Sequence, residues 1–294
     1  MRIIFLGNPY NRYESLRNFF YAERFHNGLI RNGHSVYYYA DKEDARNTLS
    51  GRLIKSHGIR KANKKLLNLV KNIRPHAIVF SHIGVITPIT MHEVRSRYPD
   101  TKMCYINVDA AFSPANIRNL DLMKLCCSSI FMTTGGKFLE EQETDSCSFH
   151  YIPNVTDSSI DIGRAFEQEK PTFDVASFMH GQHNKQSDQI DRLSLADQVA
   201  NIDDIKTCYH GFDQHPGLYG INYFEALGRS AMTLCLNRHS CDGHDSTAKT
   251  RYMYSSDRTA HVMGNGSMAL ISKDFALDKL YNNDEAVFFD SDKD

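Results

Sequence analysis

The sequence lacks the long apolar runs and the charge bias that define several protein classes. No segment approaches the about 20 apolar residues that span a bilayer, and the N-terminal run RIIFLG is too short for a signal peptide. Lys and Arg total 34 against 35 Asp and Glu, a net charge of −1. Because a signal peptide and a membrane span are not found, we expect a cytoplasmic protein. Because the net charge creates no field that attracts nucleic acid, we expect no nucleic-acid partner. A peripheral association with a membrane stays open.

The sequence also lacks the spacings of common metal sites. Seven cysteines occur without a C-x-x-C pair, which favours free buried thiols. The best metal-like cluster, CDGHD at 241–245, has no second spaced ligand pair and is interpreted as a polar loop. No Asp-x-Asp pair stands at a predicted strand end. We therefore predict no metal site.

Nucleotide fingerprints are missing as well. GNPYNR, after the first predicted strand, lacks the glycines of G-x-G-x-x-G, so NAD binding is not expected. TTGGKF at 133–138 has the wrong spacing for a Walker loop and is interpreted as a strand-to-helix turn. We expect no cofactor.

What the sequence does contain is a repeated alternation of short apolar strands with amphipathic helices. The chain has 294 residues, 41% of them hydrophobic, which is enough for two cores. Strand and helix alternate from RIIFLG to YIPNVTD, a pattern typical of a parallel sheet covered on both faces. Residues 158–172 lose this rhythm, and it resumes at 173. We predict an α/β fold with two Rossmann-like domains facing across a cleft: residues 1–157 and 173–294, joined by a linker, 158–172.

A short helix in SSDRTAHVMGNGSMALIS, residues 255–272, is the clearest candidate for a binding site. Ser255 or Ser256 is placed to cap it, and a helix N-terminus attracts anions. Arg258 and His261 are three residues apart and project from one face. The arrangement suits a diphosphate. The alternative is a surface helix whose arginine pairs with an acid such as Asp257 or Asp290.

Two stretches resemble one family. YIPNVTD is similar to the Pro-Asn-x-x-Asp turn that closes the N-terminal domain of many GT-B glycosyltransferases, with Asn154 and Asp157 at the matching positions. YGINYFEALGRSAMTLCLNRH, followed by SSDRTAHVMGNGSMALIS, resembles the C-terminal signature of the CgeB-like and related group 1 enzymes. The resemblance implies transfer of a sugar from a nucleotide-sugar, held by the C-terminal domain, to a glycan or glycoconjugate acceptor in polysaccharide biosynthesis. The nucleotide-sugar is a substrate and not a cofactor.

The resemblance also implies a set of donor-binding residues. Arg258 and the main chain from Gly264 to Ser267 would lie near the diphosphate, and Asn237 and Arg238 would line the donor pocket. A basic side chain after Gly181 would hold phosphate oxygens. The residues concerned are Gly181, Lys185 or Arg192, Asn237, Arg238, Arg258, His261, Gly264, Asn265, Gly266 and Ser267.

Two departures from the family pattern stand out. The family usually has Glu where this chain has His261, and that Glu commonly contacts the donor ribose or sugar. The chain also stops at FFDSDKD, where the family continues with helices, so we expect C-terminal helices to be missing.

The lack of an Asp-x-Asp pair predicts a metal-independent reaction. The helix N-terminus and basic side chains, Arg258 with Lys185 or Arg238, would then stabilise the leaving diphosphate. An inverting enzyme needs a base, and His82 or Asp109, both at predicted strand ends, are the candidates. Asp109 could instead cap the following turn, and His82 could be a satisfied strand-end histidine. A retaining reaction needs no base, and the sequence does not choose.

Two further hypotheses stay open. One is a noncatalytic module that binds sugar-nucleotides or a partner, which the histidine at 261 and the missing helices favour. The other is a sugar-nucleotide epimerase, which would need acids and a base converging on the sugar. Product analysis separates all three.

Overall fold

A computed structural model describes residues 1–7, 21–47, 54–82, 84–111, 114–179, 187–211, 215–237 and 252–290. Packing divides them into two compact units. The first comprises the described residues up to Met132 together with Leu139–Ile152. The second comprises Thr133–Phe138 and the described residues from Pro153 onward.

The first unit is built on a six-stranded parallel sheet. Its central strand, β1, is buried on both faces, with Ile3 to Leu6 at most 2% exposed, as expected for a sheet covered by helices on both sides. The strands are β1 (Arg2–Leu6), β2 (Ser35–Tyr39), β3 (Ala77–Phe80), β4 (Lys102–Asn107), β5 (Ser129–Met132) and β7 (Ser148–Tyr151). The helices are α1 (Tyr21–Arg31), α2 (Asp41–Arg46), α3 (Lys55–Ile73), α4 (Pro88–Arg97) and α5 (Pro114–Lys124).

The strand order across this sheet is β2-β1-β3-β4-β5-β7, with parallel pairing throughout. The chain therefore moves outward from β1 first to one side and then to the other. In such doubly wound sheets, ligands bind outside the carboxyl ends of the strands, at the point where the order reverses. Here that point lies between β1 and β3.

The second unit repeats this plan. Its five-stranded parallel sheet has the order β13-β12-β10-β8-β9, which reverses between β8 and β10. The strands are β8 (Phe173–Phe178), β9 (Thr207–His210), β10 (Ser230–Cys235), β12 (Met268–Ser272) and β13 (Val287–Phe289). The helices are α7 (Ser187–Ala200), α8 (Ile221–Gly228) and α9 (Asp257–Gly264), and the short α6 (Lys137–Glu140) is divided between the two units.

A two-stranded antiparallel sheet completes the second unit. It pairs β6 (Thr134–Gly135) with β11 (Met253–Tyr254). The sequence pattern SIFMTTG predicts one strand, but the structure divides it into β5 and β6, and these belong to different units.

The predicted α/β class, with two Rossmann-like sheets, is confirmed. The domain limits predicted from the sequence, 1–157 and 173–294, remain a prediction. Residues 158–172 include buried Ile160 and Asp161 and a 3-10 turn, Ala165–Glu167, and they form hydrogen bonds within the second unit.

The six described cysteines are all free, and five of them are buried. Burial raises the pKa of the fully buried Cys235 thiol to about 11, and the Arg258 guanidinium only partly offsets this. This agrees with the expected free thiols; Cys241 lies outside the described residues. Among the described residues, no helix is both long enough and apolar enough to cross a membrane.

Candidate functional site

His82 lies at the reversal point of the first sheet, immediately after β3. Its Nε2 is 3.0 Å from Oδ1 of Asp41, the first residue of α2, which follows β2. Asp41 is fully buried, and the His82 side chain is 13% exposed. The second carboxylate oxygen of Asp41 accepts the backbone N–H of Val85 at 2.7 Å. The structure thus shows a buried histidine–carboxylate pair.

The Asp41 carboxyl is held in its charged form. Burial acts to raise its pKa, but hydrogen bonds from His82, Val85 and the Lys42 backbone act against burial and leave the pKa below its ordinary value. A charged Asp41 favours the tautomer of neutral His82 that carries its proton on Nε2. Nδ1 then bears a lone pair, and this buried nitrogen has no hydrogen-bond partner among the described residues. The pair therefore has the arrangement of an oriented general base.

The loop after β3 is shaped around this carboxylate. A Cβ at Gly84 would lie 1.9 Å from Oδ2 of Asp41, so only glycine fits there. Asn63 of α3 holds the next residues, because its Nδ2 donates to the Val85 carbonyl at 2.9 Å and its Oδ1 accepts the Thr87 N–H at 2.8 Å. His82 and Asp41 are therefore supported by a second layer of hydrogen bonds.

Asp109, the second candidate base, follows β4, which is the neighbour of β3, so it lies at the same edge of the sheet. It is exposed, and its backbone N–H donates to Oδ1 of buried Asn107 at 2.8 Å. It does not cap α5, which begins only at Pro114. Asp109 is exposed, whereas the His82 side chain is 13% exposed and contacts a fully buried carboxylate.

Asn237 lies at the reversal point of the second sheet, just after β10. It is 3% exposed, and its Nδ2 donates to the Tyr254 carbonyl at 3.2 Å. Its Oδ1 is buried without a hydrogen-bond partner among the described residues. A buried acceptor without a donor costs free energy, which a ligand hydroxyl or N–H would recover.

Arg258, on the first turn of α9, reaches the same end of β10. Its Nη1 donates to the Leu236 carbonyl at 2.7 Å. Within the described ranges no carboxylate lies within ion-pair distance of this guanidinium, and Asp290 pairs instead with Lys273 at 2.5 Å. The alternative of an arginine paired with Asp257 or Asp290 is therefore not what the structure shows. Further N–H groups of the half-buried guanidinium remain for an anion.

The predicted side-chain cap of α9 is not made. Ser256 is the N-cap residue and has the extended backbone of one, but its side chain accepts no N–H group. Its buried Oγ has no partner among the described residues, and Ser255 donates its hydroxyl to the Ser256 carbonyl at 3.3 Å. The N-terminus of α9 therefore presents backbone N–H groups that no side chain caps, next to Arg258.

His261 lies one turn further along α9, against two aromatic rings of α8. Its ring centroid is 5.8 Å from that of Tyr223 and 6.0 Å from that of Phe224, both with edge-to-face geometry. These contacts fix the imidazole on the face that α9 turns toward α8. His261 and Arg258 thus lie on one helix, as predicted, but His261 is set in an aromatic surrounding.

Residues 264–267 do not lie with Arg258. Helix α9 runs back across the sheet, so its last residues reach the amino end of β12, whereas Arg258 contacts the carboxyl end of β10. Asn265 is fully buried there: its Oδ1 accepts the Gly163 N–H at 2.7 Å and its Nδ2 donates to the His261 carbonyl at 2.8 Å. Both polar groups of its side chain are thus hydrogen-bonded within the protein, and neither is placed to bind a nucleotide-sugar.

The residues next to Asn265 in sequence also pack closely against other parts of the chain. A Cβ at Gly264 would lie 2.8 Å from Thr156, and one at Gly266, whose φ is +77°, would lie 2.4 Å from the Phe166 ring. The Ser267 hydroxyl is 2.9 Å from that of Thr233. The expectation that Gly264, Asn265, Gly266 and Ser267 approach the donor is not supported: the glycines admit the 156–166 segment.

The turn that carries the family resemblance does reach the candidate site. Asn154 donates from Nδ2 to the Ser255 carbonyl at 2.8 Å, just before α9. Asp157 accepts the N–H and hydroxyl of Ser159 through Oδ1 and so closes its own turn. Gly181, Lys185 and Arg238 lie outside the described residues, and so do the side chain of Arg192 and the CDGHD stretch.

Sequence reasoning missed Asp41 and Gly84. Asp41 directly follows the strand pattern VYYYA, so its place at a strand end was a usable signal, but its pairing with His82 depends on the order of the strands. Among the described residues no group of three or more His, Cys, Asp or Glu is placed to hold a metal ion.

A comparison with protein-family models found no match, and a comparison with curated proteins found none. Among solved structures, sucrose-phosphate synthase from Thermosynechococcus elongatus is 10% identical with a TM-score of 0.56, over 99% of this chain and 86% of that one. The spinosyn rhamnosyltransferase SpnG, complexed with thymidine diphosphate, is 13% identical with a TM-score of 0.44, over 98% and 86% of the two chains. MurG from Acinetobacter baumannii is 11% identical with a TM-score of 0.42, over 100% and 87%.

The likeness to sucrose-phosphate synthase, together with the two sheets, shows the fold: the chain has the GT-B glycosyltransferase fold. The narrower resemblance to CgeB-like enzymes stays a prediction, as do the roles of the individual residues.

Proposed function

We propose that the protein is a glycosyltransferase that moves a sugar from a nucleotide-sugar to a hydroxyl group of a glycan or glycoconjugate. The observation that carries this proposal is the His82–Asp41 pair at the reversal point of the first sheet. A charged carboxylate that orients a histidine is an arrangement that general acid–base catalysis uses. The pair therefore favours catalysis over the binding-module hypothesis.

The proposed role of the first unit is to activate the acceptor. Nδ1 of His82 is buried in the structure, so acceptor binding must first uncover it; it then takes the proton from the acceptor hydroxyl, and charged Asp41 stabilises the imidazolium that forms. The hydroxyl oxygen attacks the anomeric carbon while the bond to the diphosphate breaks. Attack from the opposite side inverts the configuration at that carbon, so we propose an inverting reaction.

The proposed role of the second unit is to hold the donor. Arg258 and the N-terminus of α9 balance the charge that develops on the leaving diphosphate. The Oδ1 of Asn237 accepts a hydrogen bond from a hydroxyl or N–H group of the nucleotide-sugar. Lys185 and Arg238 supply further positive charge, and the reaction needs no metal ion.

Nucleotide binding tests the second unit. Thermal unfolding of the full chain is measured with UDP, GDP, CMP, ADP and TDP, each at 1 mM. A ligand that binds only the folded state raises the melting temperature by mass action. We expect stabilisation by one nucleotide class, its loss in Arg258→Ala, and its retention in the control Lys279→Ala, which removes an exposed cation of the same unit. No shift with any nucleotide would contradict the donor site.

Product analysis tests the reaction. The sugar-nucleotide of the class found above is incubated with a panel of acceptor sugars, and products are identified by mass spectrometry and NMR. We expect a transfer product of inverted configuration, lost in His82→Ala and kept in His92→Ala, which removes an exposed histidine of α4. A retained configuration, or an altered sugar-nucleotide without transfer, would overturn the proposed mechanism.

A further inference from the structure

Helix α3 concentrates positive charge to a degree found in no other described helix. Residues 55–74 contain seven Lys and Arg and no Asp or Glu. Since the chain has 34 basic residues, the other 27 stand against all 35 acidic ones. An almost neutral protein therefore has a strongly basic helix on an acidic background.

Most of this charge has no counter-ion within the described residues. Lys65 is the exception, because it contacts Asp44 of α2 and lies 5.3 Å above the Tyr39 ring. The acids on the adjoining helices are paired elsewhere: Glu43 with Arg46, and Glu93 with Arg97. Six exposed cations remain without a carboxylate in ion-pair distance: Lys55, Arg60, Lys61, Lys64, Lys71 and Arg74.

Only the basic residues at the C-terminal end of α3, Lys71 and Arg74, suit the helix dipole. The first turn has Lys55 and no acid, which opposes the helix dipole, and the N-cap residue Ile54 offers no side-chain hydrogen bond. Arg60 and Lys64 are four residues apart, a spacing at which like charges repel. Since the basic residues in the first half of α3 do not stabilise it, their concentration is consistent with a partner of opposite charge.

The packing of α3 turns the charges outward. Gly58, Ala62, Asn63, Leu66 and Val70 are buried and attach the helix to the first unit. Arg60, Lys61, Lys64 and Lys71 lie on the opposite face over roughly 16 Å of helix, from the rise of 1.5 Å per residue, and Lys55 and Arg74 add exposed charge at the two ends. An extended, evenly basic face fits a flat anionic surface better than a single small anion.

Two exposed isoleucines belong to α3 and to the helix that adjoins it, α4. Ile54, at the start of α3, is 49% exposed, and Ile89, on the first turn of α4, is 79% exposed. The start of α4 is tied to α3, because Asn63 accepts the Thr87 N–H. Large apolar side chains beside lysines and arginines are typical of segments that lie in the headgroup region of a bilayer. A soluble polyanion would gain nothing from them.

We propose that the exposed face of α3, with Ile54 and Ile89, binds anionic lipid headgroups at a membrane surface. This surface is distinct from the residues placed in the proposed glycosyl transfer and does not depend on that activity. The isoleucines favour a membrane over nucleic acid, which the near-zero net charge also disfavours.

Vesicle sedimentation tests the proposal with the full chain. Phosphatidylcholine vesicles with 30% phosphatidylglycerol are compared with pure phosphatidylcholine at 50 and 300 mM salt. We expect binding to the anionic vesicles only, weaker at high salt because the attraction is screened. The variant Lys61→Glu/Lys64→Glu/Lys71→Glu should bind at least tenfold less. The control Lys102→Glu/Lys170→Glu/Lys279→Glu, which makes the same charge change at exposed sites elsewhere, should bind like the unmodified chain.

Two measurements distinguish the remaining outcomes. Circular dichroism melting shows that the variants are folded, and Ile89→Ser, a single exposed substitution, should weaken vesicle binding without affecting melting. Equal binding by both triple variants would overturn the proposal. So would binding of the unmodified chain to DNA or heparin but not to anionic vesicles, because the face would then serve a soluble polyanion.

Discussion

The two sheets share one strand order but place different chemistry at the same topological position. In the first sheet the strand beyond the reversal, β3, leads into His82, whose ring is oriented by buried Asp41. In the second sheet the corresponding strand, β10, leads into Asn237, with Arg258 anchored to Leu236 beside it. One position has a buried carboxylate that contacts a histidine, and the other has an arginine beside a helix N-terminus; the roles we propose for them are proton transfer and anion binding.

This difference shows that two sheets with similar topology can have different polar residues at the corresponding strand ends. The topology fixes where polar side chains converge, but the residues at the strand ends decide what they do there. A buried carboxylate beside a histidine makes a base, whereas an arginine and an uncapped helix N-terminus attract phosphate. Substitutions at the first position should therefore lower the rate of sugar transfer, and substitutions at the second should weaken nucleotide binding.

The largest expected effect is on the rate of sugar transfer, from a substitution that displaces Asp41 without replacing His82 or Asp41. Gly84→Ala puts a Cβ where Oδ2 of Asp41 now lies, so the carboxylate must move and the histidine loses its orientation. We expect the rate of sugar transfer to fall by about 100-fold or more, the usual scale for a general base. Nucleotide binding should be unchanged.

The control for this variant is Gly28→Ala, which places a methyl group in open space within α1. It should keep full activity and gain about 0.5–1 kcal/mol in stability, because alanine favours helix. An active Gly84→Ala enzyme would show that the pair does not act as the base.

The next effect separates binding from stability at the two ends of α9. Asn265→Ala removes side-chain hydrogen bonds to Gly163, Asp161 and His261 from a fully buried position. With about 1–3 kcal/mol for each buried group left unpaired, we expect a loss of roughly 3 kcal/mol in unfolding free energy. Urea unfolding measures it. The exposed Asn201→Ala is the control, and the folded fraction of Asn265→Ala should bind nucleotide normally.

A smaller effect sharpens the role of the second position. Asn237→Leu removes the unpartnered Oδ1 and the hydrogen bond from Nδ2 to the Tyr254 carbonyl, with similar volume. The two changes act in opposite directions, so we expect stability within about 1 kcal/mol of the original. The dissociation constant of the nucleotide, measured by calorimetry, should rise about tenfold, which corresponds to about 1.4 kcal/mol. Unchanged affinity would place the donor elsewhere.

The smallest expected effect concerns pH. Hydrogen bonds hold the folded-state pKa of Asp41 below its unfolded value, so its contribution to stability is complete above the unfolded pKa and declines as pH falls through the folded one. The unfolding free energies of the original chain and of Asp41→Asn should therefore converge as the pH drops from 5 toward 2. A constant difference over this range would contradict the charged state assigned to Asp41.

The alternation of strands and helices was readable because parallel strands buried on both faces have continuous apolar sequences, as in RIIFLG. Boundaries were less readable. The pattern KANKKLLNLVKNIRP predicts a helix from Lys61, but α3 begins at Lys55, because Gly58 is tolerated where it is buried. The division of SIFMTTG into two strands depends on pairing with residues 253–254, far along the chain.

The places of His82 and Asn237 were predictable from strand ends, and that of Arg258 from the start of a helix. The candidate site was not predictable where it depends on contacts across the fold. Asp41 meets His82 only because β2 and β3 flank β1. The glycines at 264 and 266 resemble a ligand-binding loop in sequence. In the structure, segment 156–166 packs against them, and this tertiary contact is not visible in the local sequence.

The strand Thr134–Gly135 has a practical consequence for dissecting the protein. It belongs to the second unit although the chain on either side of it belongs to the first, and it pairs with Met253–Tyr254 just ahead of Arg258. A gene cut at residue 153 would yield a C-terminal fragment that lacks this strand. Such a fragment should need the N-terminal piece added in trans to complete the second unit and the nucleotide site proposed in it, so neither half of the gene should be exchanged as an independent domain.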